Sequence, residues 1–240
     1  MQDINIVFFP HAGGNASIYK CFSNTLKRMG YNSRVAEYPG HGMKIVENLI
    51  SDMNALVDYL YEKLFQDERD YDYIFFGHSM GSWVAYELCR KMRDVGRKTP
   101  MLLFVSGNTH PLLRKDSLKY TSKNDDEFIK DVLACGGTSP EVFANRELRA
   151  LFLPVLRNDY LLLETYTSTE EISDFKVDSD IIAMGGKQDR TVGRKLDTWG
   201  NYTKKDFQMY YFKGQHFYLF DHVEKISEII SEQIMMHMDE

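Results

Sequence analysis

The sequence has few cysteines, a deficit of positive charge and no long apolar run, and each shortage removes a class of protein. Cys21, Cys89 and Cys135 are an odd set at wide spacing. Such a set argues against a disulfide framework, suits a reducing cytosol and offers no zinc-like pair. With 29 Lys and Arg against 35 Asp and Glu, the 240-residue chain carries a formal net charge of −6. An acidic chain has no overall attraction for phosphate backbones, so nucleic acid is not an expected partner. No apolar stretch approaches the ~20 residues that span a bilayer. The first apolar stretch stops at Phe9 with no basic segment before it, so a secretory signal is not expected either. No His or Cys cluster has metal-ligand spacing. Repeats, low-complexity tracts and linkers are missing as well. The expectation is one cytoplasmic domain over residues 1–240, long enough to bury a substantial core.

What the sequence does contain is alternation. Short apolar runs at 4–9, 72–76, 101–106, 180–184 and 207–212, with a weaker one at 33–38, read as strands. Helical spacing separates them: Met53, Leu56, Val57, Leu60 and Leu64, then Val84, Ala85, Leu88 and Met92, and finally Val223, Ile226, Ile229, Ile230 and Ile234. Asp221 and Glu224 suit a capping pair for the last helix. Strand–helix alternation of this kind specifies an α/β fold, a mostly parallel central sheet flanked by helices. Residues 109–169 break the rhythm with two helical patterns, around Phe128 and around Leu151, separated by Gly136 and Gly137. A helical insertion of that size reads either as a lid, since long inserts in compact domains tend to carry function, or as a helical crossover that covers the sheet.

Gly77-His78-Ser79-Met80-Gly81 follows a strand and opens a helix, the context of a nucleophile elbow in an α/β-hydrolase. A serine hydroxyl needs a base, and the base needs an orienting carboxylate. In the chain order of that fold the acid comes next and the histidine last. Asp189 stands in the glycine-containing loop after the strand ending at Met184, and His216 in the loop after 207–212. His11 and His41 precede any plausible acid. His78 lies inside the elbow, His110 precedes Asp189, and His222 and His237 fall on or beside the last helix. For the oxyanion, the expected donors are the backbone N–H groups of Met80 and of Ala12, the latter in the loop Pro10-His11-Ala12-Gly13-Gly14.

With these residues in place, the chain resembles the type II thioesterases that accompany nonribosomal peptide and polyketide synthases. Phe9-Pro10-His11-Ala12-Gly13-Gly14, Pro39-Gly40-His41-Gly42, the elbow, Gly185 to Asp189 and Gly214 to Phe217 each look like a family motif. Within the insertion, Phe152-Leu153-Pro154-Val155-Leu156-Arg157-Asn158-Asp159 is similar to the family's Phe-x-Pro-x-Leu-Arg-Ala-Asp. The departures are His41 where Arg is frequent, Asn158 for Ala and Gln215 for Gly. The resemblance implies an α/β-hydrolase fold with a helical lid and hydrolysis of acyl thioesters on the phosphopantetheine arm of carrier proteins. The expectation is a monomer, and the reaction implied needs no metal or organic cofactor. Because carriers are commonly acidic, Arg114, Lys115, Lys119 and Lys123 are candidates for a docking patch. The alternative reading is a carboxylesterase or lipase-like hydrolase of free small esters.

Overall fold

A computed structural model describes residues 4–65, 72–114, 120–168, 175–192 and 195–238. The apolar runs form β1 (Ile4–Phe9), β2 (Asn32–Val35), β3 (Asp72–His78), β4 (Leu102–Ser106), β5 (Asp180–Gly186) and β6 (Phe207–Phe212). They make one sheet in the order β2-β1-β3-β4-β5-β6, and every neighbouring pair is parallel. Both faces are covered, and the side chains divide by the period of two. In β1, Val7 and Phe9 enter one apolar layer, while Ile4, Ile6 and Phe8 enter the other. The first layer is closed by α2 (Met53–Leu64) and α3 (Met80–Asp94), through Leu56, Leu60, Trp83 and Leu88 among others. The second is closed by α1 (Lys20–Arg28) and α7 (Val223–Met238), through Phe22, Leu26, Ile226 and Ile230. Full burial of such a side chain contributes roughly 1.5–3 kcal/mol. None of the described helices is long and apolar enough to cross a membrane.

Between β4 and β5 lie α4 (Asp125–Cys135), α5 (Pro140–Ala144) and α6 (Arg146–Ser168). The two expected helical patterns correspond to α4 and α6, and the short α5 begins at Pro140, a residue suited to a first helical turn. Phe128, Val132, Phe143, Leu153 and Leu156 give the three helices an apolar cluster of their own. Asn124 and Glu127 form a reciprocal capping box that starts α4.

Several element boundaries differ from the sequence reading. β3 and β5 run two residues further, because Gly77 and His78 pair with Val105 and Ser106, and Gly185 and Gly186 with Tyr211 and Phe212. The 33–38 run leaves the ladder at Val35, although Ala36 N–H still donates to Phe8 O at 2.8 Å. α1 has no apolar stripe in the sequence to mark it, because its polar segment buries only Phe22, Thr25 and Leu26. Asp221 ends a 3₁₀ turn instead of capping α7, and Glu224 accepts from Thr25 Oγ1 at 3.2 Å and Arg28 Nη2 at 2.7 Å.

The register brings the C-terminal ends of the central strands level. Phe9 lies opposite Gly77, His78 opposite Ser106, and Gly186 opposite Phe212. β1 also marks the point where strand order reverses, with β2 on one side and β3 on the other. In open α/β sheets ligands bind at such switch points, beyond the carboxyl ends of the strands.

Candidate active site

The elbow is built by close backbone approach. A Cβ on Gly77 would lie 2.1 Å from Gly81 O, and one on Gly81 would lie 1.9 Å from Phe9 O. Only glycine permits those contacts, which press the start of α3 against β1 and β3. Ser79 between them adopts φ 54° and ψ −117°, the one non-glycine residue with positive φ among those described. Such a conformation costs about 1–3 kcal/mol and persists only where its surroundings over-determine it. Here Ser79 N–H donates to Ser106 O at 2.7 Å, and Asn108 Nδ2 donates to Ser79 O at 3.1 Å. Ser82 Oγ adds contacts with Gly77 O and Ser106 O at 2.9 and 3.0 Å.

The three residues expected from sequence converge although they are far apart in the chain. His216 Nδ1 is 2.8 Å from Asp189 Oδ2, and His216 Nε2 is 3.0 Å from Ser79 Oγ. A carboxylate only accepts, so Nδ1 carries a proton, and in that tautomer Nε2 is free to accept from the serine hydroxyl. Asp189 Oδ1 is filled by Thr191, whose N–H and Oγ1 donate at 2.8 and 2.6 Å. Burial alone would raise the Asp189 pKa. The hydrogen bond and charge of His216, together with Thr191, outweigh that and hold it below the ordinary value. Thr191 and Asn108 carry no motif, and only the folded contacts reveal them.

Two further histidines pack around this group. The His78 ring centroid is 5.0 Å from that of His216 and 5.9 Å from that of His11. His78 Nδ1 meets Ser106 Oγ at 2.9 Å, and that hydroxyl meets Tyr218 OH at 2.7 Å. Burial, followed by the charge of His216, lowers the His11 pKa to about 3 and takes His78 well below the usual value. Both therefore stay neutral and do not oppose a positive charge forming on His216. Three more lie elsewhere: His110 stacks on Tyr202, His222 Nε2 meets Lys213 O, and His237 Nε2 meets Asp180 Oδ2 at 2.9 Å.

Met80 is the first residue of α3, where helix N–H groups have no partner within the helix. Ala12, from the loop after β1, lines the same small recess as Ser79, Trp83, Asn108 and His216. The recess adjoins a polar cleft of about 1050 Å³ lined by Lys123, Lys187, Arg190, Asp189 and His216 among others. Among the basic candidates, Lys123 is ion-paired with Asp131. Lys115, Lys119 and the Arg114 side chain lie outside the described residues.

Three consecutive residues of α6 act as anchors: Arg157 ties α6 to α4 within the segment between β4 and β5, and Asn158 and Asp159 tie that segment to the rest of the fold. Arg157 Nη2 donates to Asp125 Oδ1 at 2.7 Å, and Asn158 Nδ2 donates to Ile50 O at 2.8 Å. Asp159 Oδ2 accepts from Gly13 N–H at 2.7 Å and meets His41 Nε2 at 2.9 Å.

A strained serine on an elbow, a histidine against it and a buried carboxylate behind define the α/β-hydrolase class of enzyme. Comparison with known proteins narrows this. Residues 5–234 match the family model for the thioesterase domain, and the chain belongs to the thioesterase family. It is 30% identical over 235 residues to a probable cadicidin biosynthesis thioesterase of Streptomyces griseus. That match takes in 96% of this chain but 62% of the relative, so the chain spans less than two thirds of it. Among solved structures it is similar to ClbQ from the colibactin NRPS/PKS pathway, with 28% identity, a TM-score of 0.89 and 98% of each chain covered. It is also similar to BorB, a type II thioesterase from the borrelidin biosynthetic cluster. There the identity is 29%, the TM-score 0.79, and coverage 95% of this chain and 91% of BorB. The likeness thus runs to type II thioesterases of nonribosomal peptide and polyketide pathways.

Proposed function

We propose that this thioesterase hydrolyses acyl groups from the phosphopantetheine arm of carrier proteins through a covalent acyl-enzyme, with Ser79, His216 and Asp189 as the catalytic residues. The observation that carries the reading is the continuous Asp189–His216–Ser79 chain at 2.8 and 3.0 Å. Ser79 Oγ attacks the thioester carbonyl carbon while His216 Nε2 takes its proton. The N–H groups of Met80 and Ala12 stabilise the oxyanion, each donor contributing ~3 kcal/mol. The C–S bond then breaks, and His216 returns the proton to the departing pantetheine thiolate. Water attacks the acyl-enzyme with His216 again as base, releasing the acid and restoring the serine. The chemistry asks for neither a metal nor an organic cofactor.

The polar cleft favours a carrier-borne substrate over a compact free ester, because the exposed Lys187 and Arg190 line it together with His216, which suits an arm that carries a phosphate. Within one domain over 1–240, residues 109–169 act as the lid. The partner is an acyl or peptidyl carrier, and the enzyme works as a cytoplasmic monomer.

Hydrolysis rates on an acylated carrier domain and on the same acyl group attached to free pantetheine test the substrate. Faster turnover on the carrier is expected. Equal or slower turnover, with efficient cleavage of simple aryl esters, would instead identify a small-ester hydrolase.

A further inference from the structure

The loop that carries Ala12 is tied to α6 by a buried cluster that no local sequence pattern announces. Asp159 Oδ2 takes the Gly13 N–H at 2.7 Å, one residue from the proposed oxyanion donor. The same oxygen meets His41 Nε2 at 2.9 Å, and His41 Nδ1 meets Pro39 O at 2.9 Å. Both side chains of the pair are 3% exposed. With Asp159 ionised, its carboxylate and the Pro39 carbonyl can only accept, so both ring nitrogens of His41 donate, and a ring with two N–H groups is an imidazolium. The pair is therefore a buried ion pair, whose carboxylate keeps a second hydrogen bond to the oxyanion loop.

Resting on the catalytic reading above, we propose that Asp159 and His41 are positioning residues. Their ion pair holds the Ala12–Gly13 loop in its catalytic place under α6, and loss of the His41 proton as pH rises releases it. Three segments meet there: the loop after β1, the loop at 39–42 and the helix over the site. Other charged or titratable groups around His41 are few. Glu37, from the chain leading into its loop, adds negative charge, and the Tyr38 ring lies edge-on at 5.6 Å. Burial disfavours the His41 cation, but Asp159, the Pro39 carbonyl and Glu37 outweigh it and hold the pKa above its usual 6.5. A raised pKa means that the clamp is complete below the usual value and is lost as pH rises through the raised one. Arginine at position 41 would supply a cation that does not titrate in this range.

The test uses the full chain and its variants Asp159→Asn, His41→Arg and Ser79→Ala, with kcat and KM on an acylated carrier from about pH 6 to pH 10. A small misplacement of catalytic groups costs about 10²-fold, so Asp159→Asn should lower kcat by roughly that factor with little change in KM. In the unmodified chain kcat should fall as pH rises through the His41 midpoint, and His41→Arg should flatten that fall. NMR of the unmodified chain gives a readout independent of turnover and of any variant's folding. At neutral pH both His41 ring nitrogens should be protonated, and the Gly13 amide should titrate with the His41 midpoint. A neutral His41 ring at neutral pH, or a Gly13 amide indifferent to the His41 titration, would overturn the proposal. So would an Asp159→Asn kcat within about twofold of the parent, well inside the loss expected of a displaced group. If Ser79→Ala retains activity, the catalytic reading fails instead, while the NMR titration still decides whether the clamp exists.

Discussion

Thr191 donates both its backbone N–H and its hydroxyl to Asp189 Oδ1, at 2.8 and 2.6 Å, which leaves Oδ2 for His216. The carboxylate is thus aimed before substrate arrives. Replacing Asp189 by Asn should lower kcat by about 10⁴, the scale seen when a triad acid is neutralised. Thr191→Val removes one hydrogen bond to a charged group, worth about 1.5–3 kcal/mol, and should lower kcat by roughly ten- to a hundredfold. Steady-state kinetics on one acylated carrier, with circular dichroism to confirm folding, checks both.

The same contacts set a pH dependence of stability. Asp189 has a folded pKa below its ordinary value, so its contribution is present above the carboxylate range and is lost as pH falls through the lowered pKa. Urea midpoints of the parent should exceed those of Asp189→Asn near neutrality. The gap should close in acid. An unchanged gap at low pH would show that the stabilisation comes from packing and not from the ionised carboxylate.

Core packing gives a prediction independent of catalysis. Phe104 is fully buried on β4, with its ring stacked 5.9 Å from that of Phe76. Phe104→Ala should cost about 3–5 kcal/mol, measured as a shift in the urea midpoint at constant slope.

Gly81 should not tolerate even a methyl group. A Cβ would fall 1.9 Å from the Phe9 carbonyl oxygen, a backbone atom that cannot step aside without moving β1. Gly81→Ala should lower stability by about 3 kcal/mol or more and take activity with it, read as thermal midpoint and turnover together.

The strands were legible where apolar residues run continuously, and β1 and β6 start and stop at the residues the pattern marks. Boundaries were lost where pairing continues through residues with no apolar side chain, as at Gly77, His78, Gly185 and Gly186. The elbow, Asp189 and His216 could be read because each follows a strand in the order that a hydrolase requires. Thr191 lies two residues beyond Asp189 and resembles any loop threonine until its hydroxyl is seen on the carboxylate. Asp159 and His41 are 118 residues apart, and their pairing has no spacing rule that a sequence could display. The Asn124–Glu127 box is different, because its Asn-x-x-Glu pattern before Phe128 was there to be read.

The acyl-enzyme itself can be weighed. The parent and Ser79→Ala are mixed with an acylated carrier, quenched during turnover and examined by intact-protein and peptide mass spectrometry. The parent should gain the mass of the acyl group on the peptide containing Ser79 and release the acid. Ser79→Ala should gain nothing and leave the carrier acylated. Hydrolysis by Ser79→Ala at the parent's rate, or an acyl adduct on another residue, would contradict the mechanism.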